Sequence, residues 1–190
     1  MKKTLVSVLI IFFCASPLRG APESSVVIQG SKLPQFVREA IDLLKKETDV
    51  KLTYDEVVMI LNLKKWAPPQ ILEEVRTKNS FVIYNQDGKW PHLPIYLNGE
   101  KELWKILDIL DRDPREHNTI VSIVAALLAH ERGWHSQGHQ DELGALEIEQ
   151  VFLSYLRTQG LFVGNYADKY YQDLLEEMSR EKAKSLAASK

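Results

Sequence analysis

Over most of this chain, apolar positions recur with a helical period. Phe36, Val37, Ala40, Ile41 and Leu44 step by three and four, which predicts a helix to about Lys46 with one buried face. Ser31 is its candidate cap, and Pro34 fits its first turn. Residues 53–63 read as a second helix, opened by a capping box between Thr53 and Glu56. Pro68 and Pro69 stop it and open a third, over 70–78. Leu103, Ile106, Leu107 and Leu110 share one face of a helix over 101–110, and a charged loop with Pro114 follows. From Ile120 through Ala129 only Ser122 is polar. A helix apolar on all sides is a buried one, so residues 119–131 are expected at the centre. A helix over 140–158 comes next, closed by Gly160 in the C-cap position. Asn165 then caps a last helix over 166–178. Residues 179–190 form a charged tail that is expected to fray.

One segment departs from that period. Phe81, Val82, Ile83 and Tyr84 are aromatic or β-branched, Gln86-Asp87-Gly88 signals a turn, and Pro94-Ile95-Tyr96-Leu97 follows. This predicts a small hairpin or two short strands, with Pro91 and Pro94 suggesting an edge. The fold class is therefore mainly α with a minor β element. Residues 31–178 make a single domain built on two antiparallel core helices, 119–131 and 140–158.

Composition narrows the function classes. The chain has 190 residues, 45% apolar and 26% charged, which is ordinary for one globular domain. A net charge of −2 gives no footprint for nucleic acid, so none is expected as a partner. One cysteine excludes a disulfide framework. Residues 1–20 read as a secretory signal peptide: Lys2 and Lys3, an apolar run from Thr4 to Ser16, then small Gly20 and Ala21. That run is short of the roughly 20 apolar residues of a membrane span. Phe12 and Phe13 are too bulky for lipidation at Cys14. The expected destination is secreted or periplasmic, with no stable membrane anchor after cleavage.

The chemistry gathers where the apolar helix ends. His130, His135 and His139 fall within ten positions, and Glu131 follows His130. Burying a carboxylate without a partner is costly, and a metal ion supplies the missing charge. In a His-Glu-x-x-His motif, histidines four apart share a helix face and bind one zinc, while the glutamate reaches the water. Here the second histidine comes at five. At about 100° per residue, a regular helix aims His130 and His135 roughly 140° apart. Either a π-bulge absorbs the extra residue at Gly133, or the helix ends at Glu131 and His135 returns from a loop. Glu142 is the candidate third ligand. Ala145, Glu149, Phe152, Leu153 and Leu156 lie on its helical face, so it opens an apolar stripe. Glu149 on the same stripe is a candidate to orient a ligand from behind. His139 is read as a loop residue, with ligand substitution as the alternative. His92 and His117 are expected in solvated turns. Trp90, Trp104 and Trp134 are read as packing residues, and the charges of 176–184 as a solvated helix face.

This region resembles the minimal gluzincin-like metallopeptidases. The elements that carry the resemblance are Leu128-Ala129-His130-Glu131, then His135, then Glu142-Leu143-Gly144-Ala145, then Phe152-Leu153. Pro94-Ile95-Tyr96-Leu97 is similar to the edge strand lining the cleft in that group. The resemblance covers roughly residues 90–157. It implies a zincin-like core, His130, His135 and Glu142 as zinc ligands, Glu131 as general base, and a peptide or protein substrate. The chain departs from the pattern by one residue: deleting Gly133 would leave His-Glu-Arg-Trp-His. Two other functions fit the same residues. One is an inactive peptidase-like domain that binds a protein or peptide; the other is a metal-free periplasmic helical protein.

Overall fold

A computed structural model describes residues 26–83 and 94–188. The signal-peptide reading, the Gln86-Asp87-Gly88 turn, Trp90 and His92 lie outside the described residues. The elements in chain order are β1 (Val27–Gln29), α1 (Gln35–Glu47), β2 (Val57–Ile60), α2 (Leu63–Trp66), α3 (Pro69–Val75), β3 (Ser80–Val82), β4 (Ile95–Asn98), α4 (Glu102–Leu110), α5 (His117–Gly133), α6 (Glu142–Thr158) and α7 (Asn165–Ala188). The protein is mainly helical with a small sheet.

Helix α5 is the centre, as its apolar run requires. Every residue from Thr119 to Glu131 is buried. It packs against α1 and α6, and Ile123, Leu128, Leu153 and Leu156 are fully enclosed in that layer. Gly160 takes a left-handed backbone (φ +71°) and ends α6, with the Leu161 N–H reaching back to the Leu156 carbonyl at 3.0 Å.

The sheet is larger than the sequence pattern indicates. Its order is β1-β2-β4-β3. The hairpin reading holds for its pairing: β3 is antiparallel to β4, with Phe81 opposite Tyr96. The edge expected at Pro94 does not. Strand β4 is internal, parallel to β2 on its other side. Pro94 precedes the strand, where its missing N–H costs no ladder bond, and β3 is the edge strand on that side of the sheet.

The expected helix over 53–63 is a correction. The capping box is present, with the Thr53 N–H donating to Glu56 Oε2 at 2.7 Å. It closes only one 3-10 turn, Tyr54–Glu56, before β2 begins. All four residues of β2, Val57 to Ile60, are buried. A strand enclosed on both faces reads as a continuous apolar run, without the alternation that would mark it. One sheet face carries α5 and its neighbours. The other is covered by Leu63, Ala67 and Val75 of the α2–α3 segment, which enclose Ile60 and Phe81.

Two helix ends also differ. Ser31 sits in a 3-10 turn, and Pro34 occupies the N-cap position of α1. Helix α7 continues through Ala188 instead of fraying after Met178. Its last turns hold strong helix formers and an i,i+3 pair between Glu181 and Lys184. Their charges lie on the exposed side, as read from sequence.

Candidate metal centre

Three local features bring the site residues together. Helix α5 carries His130 and Glu131 to its buried C-terminal end. It stops at Gly133, because Trp134 adopts φ −125°, ψ −68°. A 3-10 turn, His135–Gln137, follows, and Gly138 reverses the chain with φ +91°. Asp141 then starts α6, its Oδ1 accepting from the Gly144 N–H at 2.8 Å. Glu142 therefore occupies the first turn of α6, beside the end of α5. No π-bulge forms. The loop return is the solution, two residues beyond the expected break at Glu131, and Gly138 is the glycine that supplies the left-handed turn.

The result overcomes the five-residue spacing. The His130 and His135 ring centroids are 5.1 Å apart. His130 Nε2 lies 3.6 Å from Glu142 Oε1, and His135 Nε2 lies 3.7 Å from Glu142 Oε2. One donor atom from each of the three residues falls within 4.8 Å of the others. All three sequence-predicted ligands thus converge on a possible metal site. His139 stays outside that triad: its ring stacks on Trp134 at 4.1 Å, and its carbonyl receives the His135 Nδ1–H at 2.9 Å.

The ligands are braced from behind. His130 Nδ1 is 3.2 Å from Glu149 Oε2, and the Tyr170 hydroxyl donates to Glu149 Oε1 at 2.8 Å. Both imidazoles therefore direct Nε2 at the shared space, the arrangement metal-binding histidines need. Burial disfavours charge on His130, but the Glu149 hydrogen bond and the surrounding carboxylates outweigh it and raise its pKa. Tyr170 is held well above the usual phenol range by burial and by Glu149, so it remains a donor.

Glu131 is 2% exposed. Its Oε1 accepts from the Ser80 hydroxyl at 2.8 Å, whereas its Oε2 is buried without a partner among the described residues. Burial raises the Glu131 carboxyl above its usual range, against the pull of His130, His135 and the Ser80 bond. Lys78, in the turn before β3, forms an ion pair with Glu142 Oε2 at 2.9 Å. Burial works to raise the Glu142 carboxyl, but Lys78 and the two histidines prevail and lower it.

A cleft of about 870 Å³ opens onto these residues. The edge strand β3 runs along one wall, and Tyr166, Tyr170 and Leu174 of α7 along another. Ser80, Lys78 and Tyr170 line this cleft without a clear sequence signal. A tyrosine pair at i,i+4 in a mostly polar helix was a faint signal for Tyr170; for a lysine in a turn there was none. Trp104 is core, as expected, at 4% exposure, and Trp134 packs over Gly144. His117 corrects the sequence reading: it is half-buried and bonded to both Asp111 and Glu39.

No family model matches the chain, and neither does any curated protein or solved structure. Among the described residues, no helix is long and apolar enough to cross a membrane.

Proposed function

We propose that this chain is a secreted or periplasmic zinc-dependent hydrolase of the peptidase type, related in plan to the minimal gluzincin-like metallopeptidases. The observation that carries the reading is one cleft holding both the His130–His135–Glu142 triad and the unpartnered buried oxygen of Glu131. Two imidazoles and one carboxylate are a zinc donor set that leaves a fourth position open. At zinc–ligand lengths of about 2.0–2.2 Å, donors stand roughly 3.3–3.6 Å apart. One donor atom from each residue lies within 4.8 Å of the others, and the 3.6 and 3.7 Å approaches are to different Glu142 oxygens, so the side chains would draw together slightly around an ion. When bound, zinc would supply Lewis acidity, polarising a carbonyl and making water more acidic.

The protein's own groups divide the remaining work. His130, His135 and Glu142 hold the ion, while Glu149 and the His139 carbonyl fix the imidazole orientations. Glu131 takes the proton of the attacking water on Oε2, and Ser80 anchors its other oxygen. A carboxyl raised by burial is better matched to that exchange near neutral pH than an ordinary one. The outer edge of β3, which pairs with no strand among the described residues, lines the cleft and suits an extended peptide.

Metal analysis and peptide hydrolysis test the reading together. Purified mature protein is expected to hold one zinc per chain, and His130→Ala to lose it. Glu131→Gln should keep zinc and lose about 10²–10⁴-fold in hydrolysis of peptides or unfolded protein. Absence of zinc from the wild type would overturn the proposal. Full activity in Glu131→Gln would overturn the assigned base. Zinc without cleavage across a broad peptide library would leave the peptide-binding, inactive form of this fold.

A further inference from the structure

Lys78 is held in place with unusual care for a lysine in a turn. The buried Asn98 side chain donates to the Val75 and Lys78 carbonyls, each at 3.2 Å. The Asn98 N–H and the Trp104 indole both donate to the Asn79 carbonyl, at 2.9 and 3.0 Å. Asn98 is 1% exposed and Trp104 4%, so the backbone on either side of Lys78 is pinned to the interior. The side chain then runs into the cleft, half-exposed, and ends 2.9 Å from the Glu142 carboxylate. The other described lysine lining the cleft, Lys169, is engaged by Asp173 at 2.7 Å. Lys78 is thus the ammonium nearest the triad among the described residues.

A surface ion pair adds little stability, which makes this bracing hard to explain as a stability device. Chemistry at the site explains it better. In hydrolysis, the oxygen of water bonds to the carbonyl carbon and its proton passes to Glu131. The carbonyl π pair moves onto the carbonyl oxygen. Negative charge therefore moves from Glu131 to the substrate. The oxyanion pair then re-forms the carbonyl as the C–N bond breaks, its electrons leave with nitrogen, and the proton on Glu131 goes to the departing amine. A cation already fixed at Glu142, on the same cleft as Glu131, stabilises that transfer without reorganising at the moment of reaction.

We propose that Lys78 is a catalytic residue, whose ammonium binds the oxyanion that develops on a substrate carbonyl held beside His130, His135 and Glu142. This rests on the hydrolase reading above. It assigns the cleft a preference for ligands that place an anionic oxygen at the triad, such as phosphinic peptide analogues of the tetrahedral state.

The test compares wild type, Lys78→Met and Lys78→Arg for zinc affinity and for binding of a phosphinic pseudopeptide with leucine side chains flanking phosphorus. Lys78→Met should bind zinc at least as tightly as wild type, because an ammonium competing for Glu142 is gone. Its affinity for the phosphinate should fall about 10–100-fold, and any hydrolysis about 10²–10³-fold, the usual loss for one oxyanion donor. Lys78→Arg should recover part of the phosphinate affinity. If Lys78→Met loses zinc, the residue is only a strut for Glu142 and the proposal fails. Equal phosphinate affinity in all three proteins, or none in the zinc-loaded wild type, also overturns it. A wild type without zinc overturns the hydrolase reading itself, so the two failures are distinguishable.

Discussion

Gly144→Ala is a small change with a defined target. Gly144 sits in the first turn of α6, and a Cβ there would lie 2.2 and 2.4 Å from two Trp134 ring carbons. Ordinary contact begins about a full ångström farther out, so the indole must move. That indole donates from Nε1 to the Asp141 carbonyl at 2.9 Å and stacks on His139, whose carbonyl holds His135. Overpacking of this kind costs about 1–3 kcal/mol, and alanine in a helix returns about 0.5–1 kcal/mol. At contacts this short the overpacking cost lies in the upper part of its range, about 2–3 kcal/mol, so the expected net loss is about 1–2.5 kcal/mol, or roughly 2–10 °C in Tm for a chain of this size. Displacement of the loop should also weaken zinc binding about tenfold, the lower end for a group that orients a ligand. Thermal unfolding by circular dichroism and a zinc competition titration read the two effects. In a Trp134→Ala background the overlap with the ring is gone, and Gly144→Ala should become neutral or stabilising. A Gly144→Ala protein as stable as wild type, or an equal loss with and without Trp134, would refute the packing argument.

Two further outcomes follow from other parts of the fold. His117 joins Glu39 of α1 to Asp111 before α5; burial opposes its charge, but the bonds to Asp111 and Glu39 prevail and raise its pKa. Its contribution is therefore complete below its usual value near 6.5 and is lost as pH rises through the raised one. Glu39 is lowered, chiefly by the Gln35 bond and then by His117, so its contribution is lost only as pH falls below about 4.5. The Tm deficit of His117→Gln should be largest between those limits and shrink as pH rises through the raised His117 value; a deficit that grows with pH would contradict this. Leu128→Ala empties a fully buried position in α5 and should cost about 2–5 kcal/mol, seen as a lower urea midpoint with unchanged slope. A loss under about 1 kcal/mol would mean that the centre of the molecule lies elsewhere.

The elements legible in the sequence are those whose information is local. Helices α1, α4 and α6 repeat their apolar residues every three or four positions, and each repeat faces one partner layer. The all-round apolar run of α5, ending in His130-Glu131, marks both the centre of the fold and the place of the candidate metal site. The apolar stripe behind Glu142 singles out that residue and Glu149. Pairing between distant segments left no such trace. Strand β2 reads as part of a helix because Val57, Val58, Met59 and Ile60 are all apolar, and nothing local says that β4 will lie alongside. The turn after α5 is similar: the five-residue spacing shows that a regular helix fails, but only the fold decides that the chain breaks at Trp134 and reverses at Gly138. Lys78, Ser80 and Tyr170 meet Glu142, Glu131 and Glu149 from segments far along the chain. Their roles come from a field and a geometry that exist only after α3, β3 and α7 have packed around α5. A sequence records which groups are available; the distance between them, on which every electrostatic and hydrogen-bonding effect here depends, is set by packing.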